Sequence, residues 1–353
     1  MYDQKYLKNF FSRSRVDSVS VNQLFLGNKI NVCARQLEIV DFGDDYTRKS
    51  LAATQEKTLA IIKPDAVENS GKIISIMEER IGLRVSDARM VRLSQREAAA
   101  FYQEHQGKDF YENLVRHMSS GPILAMALVG ADAVASWRSL LGPTNPLEAK
   151  DSAPNSIRGL FGSVNPKNAA HGSDSGASAH RELNFFFGAN NKLTTTASMG
   201  NDLNSTCAVV KPHCVLSGQF GQVLAKIQSS NWKVTAVQLH NFERANAEEF
   251  YEVYKEVVPE YEMMVSELCT GPCIALEVSS PGAPPATNLE EQCVTRFKKE
   301  IAGPRDPVIA KELDRSSLRA LFGNDKVRNA VHCTDLPDDT KLELSYMFQI
   351  LCE

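Results

Sequence analysis

The chain has 353 residues, 43% hydrophobic and 23% charged, which excludes a mainly disordered or fibrous protein and gives room for two domains and an extra segment. With 39 Lys+Arg against 43 Asp+Glu the net charge is −4, so no single-sign field points to nucleic acid. The longest purely apolar run, 123–129, is far too short to span a bilayer, and the charged opening MYDQKYLKNFFSRSR lacks the apolar middle of a secretory signal.

Residues 22–47 carry two alternating runs, 30–32 and 37–40, followed by a Gly-Asp turn. Residues 58–62 read as a short apolar strand closed by Lys63-Pro64. An amphipathic helix is predicted over 72–81, with Ile73, Ile74, Met77 and Ile81 on one face. A second strand spans 83–91. Ser94 with Glu97 three residues later forms a capping box that starts a helix toward His105. A central strand covers 123–129, and a helix over 131–141 stops at Gly142-Pro143. His171 ends a short strand, and the next helix runs through Glu182. GANNKLTTTASMGND (188–202) reads as a flexible linker.

The same order then begins again. KTLAIIKPDAV (57–67) matches TCAVVKPHCV (206–215), SSGPILAMALV (119–129) matches CTGPCIALEV (269–278), SIRGLFG (156–162) matches SLRALFG (317–323), and NAAHGSDS (168–175) matches NAVHCTDL (329–336). The offset grows steadily: Lys63 to Lys211 is 148 residues, Tyr102 to Tyr251 is 149, Gly121 to Gly271 is 150, and Arg158 to Arg319, His171 to His332 and Glu182 to Glu343 are each 161. One insertion of eleven residues in SSPGAPPATNLEEQ (279–292) accounts for the jump. The expected organisation is a β-rich N-terminal segment (1–50), a first domain (57–186), a linker (187–204) and a second domain (205–350). The β-α-β-β-α-β order of each copy predicts an α+β fold, two tandem ferredoxin-like sandwiches with antiparallel sheets. Eight cysteines without a CxxC pair read as reduced thiols of a cytoplasmic protein.

The aligned polar residues of the first copy suit phosphoryl transfer. Lys63, Arg138 and Arg158 can offset charge on phosphate oxygens. His171 can attack phosphorus as a neutral imidazole, and Glu182, eleven residues on, can hold the other ring nitrogen. No Walker loop or kinase-type GxGxxG occurs, so side chains must grip any nucleotide. Trp137 reads as core, and His105, His117, His180, His213 and His240 as surface or packing residues.

KPDAV, LGPTNP, SIRGLFG and NAAHGSDS together resemble the nucleoside diphosphate kinase family, over about 57–350. The resemblance implies that the γ-phosphate of a nucleoside triphosphate passes to His171 and then to a nucleoside diphosphate. Glu182 would orient His171, with Ser173 nearby and Tyr102 in support. Lys63, Arg138, Thr144 and Arg158 would hold the phosphates, Asn168 and Lys63 would face the sugar, and Phe110 would stack on the base. Mg2+ would be held mainly by the nucleotide. In the second copy Lys211, Tyr251, Arg319, Asn329, His332 and Glu343 persist, but Lys299 replaces Arg138, Arg305 replaces Thr144, Glu260 replaces Phe110 beside Tyr261, and Cys333-Thr334 replaces Gly172-Ser173. If Gly172 needs a positive φ, Cys333 distorts the second site, so weak or absent transfer is expected there. Residues 22–47 resemble the C-terminal part of the DM-ten domain of ciliary proteins, which implies a truncated domain. Its expected partners are tubulin, as in an axonemal doublet microtubule, or the centrosomal γ-tubulin complex. The expected location is then cytoplasm and cytoskeleton, in a cilium or flagellum axoneme or a centrosome. The alternatives are a strand pair packed on the first domain, and, for the whole chain, an axonemal scaffold in which catalysis is secondary or lost. Neither a nucleic-acid nor a membrane partner is expected.

Overall fold

The computed structural model describes residues 56–189, 193–198, 204–280 and 289–352, with short pieces of the first 44 residues. Near the N-terminus β1 (Tyr2–Asp3) pairs with β2 (Lys8–Asn9), and β3 (Lys29–Val32) pairs antiparallel with β4 (Arg35–Glu38). Ile30 and Val32 of the second hairpin are buried, as the alternation there predicts. The insertion in the second copy falls largely at 281–288, outside the described residues.

The first copy runs β5 (Glu56–Ile62), α1 (Ser70–Arg80), β6 (Arg84–Val91), α2 (Gln95–Phe101), α3 (Tyr111–Met118), β7 (Ile123–Gly130), α4 (Ala133–Leu141), α5 (Pro146–Ser152), α6 (Ile157–Phe161), β8 (Ala170–Gly172) and α7 (Gly176–Phe187). The second repeats it as β9 (Ser205–Val210), α8 (Pro212–Leu216), α9 (Phe220–Ser229), β10 (Lys233–His240), α10 (Arg244–Phe250), α11 (Tyr261–Leu268), β11 (Cys273–Ser279), α12 (Leu289–Phe297), α13 (Pro307–Leu313), α14 (Leu318–Phe322), β12 (Val331–Cys333) and α15 (Thr340–Phe348). Ser94 closes its capping box on α2: its hydroxyl accepts from the Glu97 amide, and its own amide donates to the Glu97 carboxylate.

β5 and β6 flank β7 and both pair antiparallel to it, the split βαβ arrangement expected from the element order. The two half-sheets join. β6 pairs antiparallel with β10, Arg89 opposite Gln238, giving one eight-stranded sheet in the order β12-β9-β11-β10-β6-β7-β5-β8. On one face a single apolar core crosses both halves, with Ile73, Ile74 and Met77 of α1 against Phe220, Val223, Leu224 and Ile227 of α9. The other face carries two separate cores, one built on Leu59, Phe101 and Phe186 and the other on Val209, Phe242 and Tyr251. Among the described residues no helix is long and apolar enough to cross a membrane.

The α1–α9 crossing depends on two glycines. A Cβ on Gly71 would lie 2.1 Å from the Ala225 amide nitrogen, and one on Gly221 would lie 2.2 Å from that of Ser75. The freed amides bond across the seam: Gly71 N–H donates to Gln228 Oε1 and Gly221 N–H to Glu78 Oε2, each at 2.9 Å. Gln228 and Glu78 are pseudo-twofold mates, one an amide and the other a buried acid. Burial pushes Glu78 up to about 7, although the Gly221 amide and Arg84 oppose the shift. A raised carboxyl stabilises the fold fully below its unfolded pKa of 4.5 and loses that contribution as pH rises through about 7. We therefore expect Glu78→Gln, which copies its mate, to match the native chain near pH 4 and to exceed it above pH 8 by up to roughly 3 kcal/mol. Urea unfolding across that range measures the difference, and parallel pH profiles would contradict it.

The polar stretch between the halves is partly fastened. Thr196 Oγ1 donates to the Thr235 carbonyl at 2.6 Å, and the Ser198 amide donates to Glu277 Oε2 at 3.0 Å. Glu277 is fully buried and also accepts from the Ser205 and Thr235 hydroxyls, each at 2.9 Å.

Candidate active site

β8 is an edge strand whose register places His171 opposite Ile61 of β5, and α7 then returns over that edge carrying Glu182. His171 Nε2 lies 3.0 Å from Glu182 Oε2. With Glu182 ionised this bond takes the Nε2–H tautomer, leaving the Nδ1 lone pair available to an electrophile. The carboxylate is itself held: Ser173 Oγ donates to Glu182 Oε2 at 2.7 Å and accepts from the Leu59 amide at 3.2 Å. Burial alone would raise the Glu182 pKa, but the bonds from His171 and Ser173 and the charge on His171 hold it below the ordinary carboxylate range. Phe101 and Tyr102 meet the imidazole edge-on at 5.5 and 5.9 Å between ring centres, and the Trp137 indole N–H donates to the His171 carbonyl at 3.1 Å.

A cavity of about 540 Å³ opens beside this ring, lined by every predicted first-copy residue except Ser173. Ser173 is fully buried and acts through Glu182. Lys63 leaves β5 as a buried cation, its Nζ donating to Asn168 Oδ1 at 2.7 Å and to the Pro166 carbonyl at 3.2 Å. Burial lowers its pKa to about 8, with Asp65 opposing the shift and Arg158 adding to it. Asn168 also donates to the Thr144 carbonyl at 3.0 Å, so it ties three chain segments together. Arg158 spans the Gly142 and Ala170 carbonyls at 2.8 and 3.2 Å, and burial, with help from Arg138, lowers its pKa to about 10. Arg138 is exposed, and its side chain makes no hydrogen bond among the described residues. Phe110 is 50% exposed at the rim, where His105 meets its ring at 5.6 Å. None of Lys63, Arg138 and Arg158 forms an ion pair with a carboxylate among the described residues, so their charge faces the cavity unspent. The Tyr102 hydroxyl is buried without a partner there.

Two further residues belong to this machinery. His117, expected to be surface or packing, bonds through Nε2 to Asp65 Oδ1 at 2.8 Å, and Asp65 Oδ2 accepts from the Ala169 amide at 3.0 Å. Ala169 has φ 67°, so the pair clamps a left-handed residue two positions before His171. The second copy reverses the types: His213 stands for Asp65 and Glu267 for His117. His213 Nδ1 lies 2.7 Å from Glu267 Oε1, and its Nε2 accepts from the Ala330 amide at 3.2 Å. Ala330 has φ 71°. The acid-for-base exchange at aligned positions was the sequence signal for this clamp.

In the second half His332 Nε2 lies 3.0 Å from Glu343 Oε1, and Thr334 Oγ1 donates to Glu343 Oε2 at 2.8 Å. Arg319 spans the Gly303 and Val331 carbonyls as Arg158 does its own pair. Lys211 keeps the counterpart of the Lys63–Pro166 bond, donating to the Val327 carbonyl at 2.7 Å, but makes no bond to Asn329, whose side-chain Oδ1 is buried without a partner among the described residues. The expected distortion at Cys333 does not hold. Gly172 has no positive φ; what it lacks is space, since a Cβ there would lie 2.5 Å from Trp137. Lys298 stands at the Trp137 position and bonds outward to Asp335, leaving room for the Cys333 side chain. Tyr254 also donates to Asp335, at 2.6 Å, and the His332 side chain is 6% exposed against 19% for His171. Arg305 Nη2 meets Glu260 Oε2 at 3.1 Å. Tyr261 is buried, with its hydroxyl toward the Glu248 carbonyl, and does not replace Phe110.

The nucleoside diphosphate kinase family model matches the chain twice, over 56–192 and 204–351. Nucleoside diphosphate kinase homolog 7 of mouse is 43% identical over 351 residues, covering 99% of this chain and 86% of that protein, and its rat counterpart is 44% identical over the same length and shares. Human nucleoside diphosphate kinase homolog 5 is 46% identical over 132 residues, 37% of this chain and 62% of its own. A crystal structure of the Aquifex aeolicus nucleoside diphosphate kinase, 42% identical, covers 38% of this chain and 96% of its own with a TM-score of 0.37. Two family matches in tandem and near-full-length similarity to such relatives settle the assignment: the chain belongs to the nucleoside diphosphate kinase family.

Proposed function

We propose that the first half moves the terminal phosphoryl group of a nucleoside triphosphate to a nucleoside diphosphate through a phosphohistidine at His171. The observation that carries this reading is the His171–Glu182 bond of 3.0 Å at the wall of a cavity holding three cations without carboxylate partners. Nδ1 bonds to the terminal phosphorus as the bridging P–O bond breaks, and the electron pair of that bond leaves on the nucleoside diphosphate. The ring becomes positive and Glu182 stabilises it. Lys63, Arg138 and Arg158 balance charge on the transferred oxygens, and Phe110 offers the base a face. The second diphosphate reverses each change. Magnesium, held mainly by the nucleotide, would supply charge neutralisation between the phosphates.

Labelled ATP without acceptor is expected to leave acid-labile label on the protein, which any nucleoside diphosphate then removes. Lys63 adds a pH signature. It is a cation below about 8 and neutral above, so diphosphate affinity should fall as pH rises through that value. A flat affinity profile from pH 7 to 9 would remove Lys63 from phosphate binding.

The resemblance of residues 22–47 to a domain of ciliary proteins supports a second reading: an anchor on ciliary or centrosomal microtubules, with the chain serving as an axonemal scaffold. Deleting 1–50 should abolish co-sedimentation with axonemal doublets. Undiminished co-sedimentation would exclude the segment as the anchor.

A further inference from the structure

The second half keeps cations at three of the four phosphate-end positions, Lys211, Lys299 and Arg319, and rebuilds the fourth together with the base end. Its cavity, about 830 Å³, is lined by Lys211, Lys299 and Arg319, and none of these forms an ion pair among the described residues. Two buried polar atoms in its wall have no partner there, Asn329 Oδ1 and the Tyr251 hydroxyl. Lys211 retains the carbonyl bond of this pair, to Val327, but not the asparagine bond, which in the first half joins Lys63 to Asn168 at 2.7 Å.

One replacement at the base end and one at the phosphate end have become one contact. Glu260 stands where Phe110 offers a stacking face, and Arg305 stands where Thr144 offers a small hydroxyl. The two are joined at 3.1 Å, with Arg305 also 3.3 Å from Met264 Sδ. The ion pair therefore spans from the Phe110 position to the Thr144 position. Seating a base there would require breaking it and would leave Glu260 facing an aromatic ring without its cation. A phosphate chain on Lys211, Lys299 and Arg319 does not require breaking that pair; of the two carboxylates that also line the cavity, Asp314 and Asp335, Asp335 is held by Lys298 and Tyr254.

We propose that the second pocket binds a short phosphate chain that carries no base, an inorganic diphosphate or triphosphate, and excludes nucleotides. The proposal does not depend on catalysis in the first half, because it concerns a different pocket and its readout is binding.

Isothermal titration of the full chain tests it. ADP alone should fill one site per chain. Inorganic tripolyphosphate, added with ADP in excess, should still find one site, weakened about tenfold by Lys299→Ala. Glu260→Phe combined with Arg305→Thr should raise the ADP count to two. ADP filling two sites in the native chain would overturn the proposal, as would loss of all tripolyphosphate binding once ADP is present, or tripolyphosphate binding indifferent to Lys299→Ala. No ADP site at all, with tripolyphosphate still bound and sensitive to Lys299→Ala, would uphold this proposal while refuting the nucleotide reading of the first half.

Discussion

Replacing Gly71 with valine is expected to break the chain's central seam. Its Cβ would sit 2.1 Å from a backbone nitrogen of α9, a clash that no rotamer relieves. The helices must separate, and the amide bonds to Gln228 and Glu78 lengthen together with the apolar contacts around Ile74 and Leu224. Overpacking against a flexible side chain commonly costs about 1–3 kcal/mol. Backbone-to-backbone overlap with two buried amides unmade should cost about 4 kcal/mol or more and lower Tm by roughly 10 °C. Gly176→Ala is the control, because a Cβ there meets nothing within 4 Å; it should stay within about 0.5 kcal/mol of the native chain. Equal melting of all three proteins would mean the halves do not meet through α1 and α9.

His171→Ala should have the largest effect on activity. It removes the atom that bonds phosphorus, and the remaining cations can bind nucleotide without passing the group on. Transfer should fall by at least roughly 10³-fold while ADP affinity stays near native. Glu182→Gln keeps a bond to Nε2 but removes the charge that stabilises the cationic ring, so a loss of about 10²-fold is expected. His332→Ala should change transfer little, since its side chain is only 6% exposed, with the Tyr254 ring 6.4 Å from its own. Steady-state transfer and ADP binding on the three variants check the pattern. Full activity in His171→Ala with loss in His332→Ala would exchange the roles of the halves.

Much of this architecture was readable in the residues. The repeat offsets located two copies, and the apolar spacing of Ile73, Ile74 and Met77 placed the face of α1 that is buried. Strand-then-helix spacing brought His171 and Glu182 within bonding distance. The join between halves was not readable. β6 and β10 look like any edge strand, and Gly71 and Gly221 carry no mark of a close helix crossing until the two helices are set together. The Glu260–Arg305 contact was hidden for a related reason. Each replacement taken alone reads as damage to a nucleotide site, and only their 3.1 Å separation shows them acting together. Gly172 misled in a third way: glycine suggested a backbone need, whereas the constraint is the volume of Trp137. The Asp65–His117 clamp was legible in principle, because its second-half counterpart exchanges acid and base at aligned positions.

The most direct measurement is phosphorus NMR of the full chain after exposure to ATP without acceptor, with peptide mapping of the modified residue. Since Glu182 occupies Nε2, phosphorus should appear on Nδ1 of His171, near one per chain, and vanish on adding a nucleoside diphosphate. Phosphorus on Nε2, on His332 or on no histidine at all would contradict the mechanism.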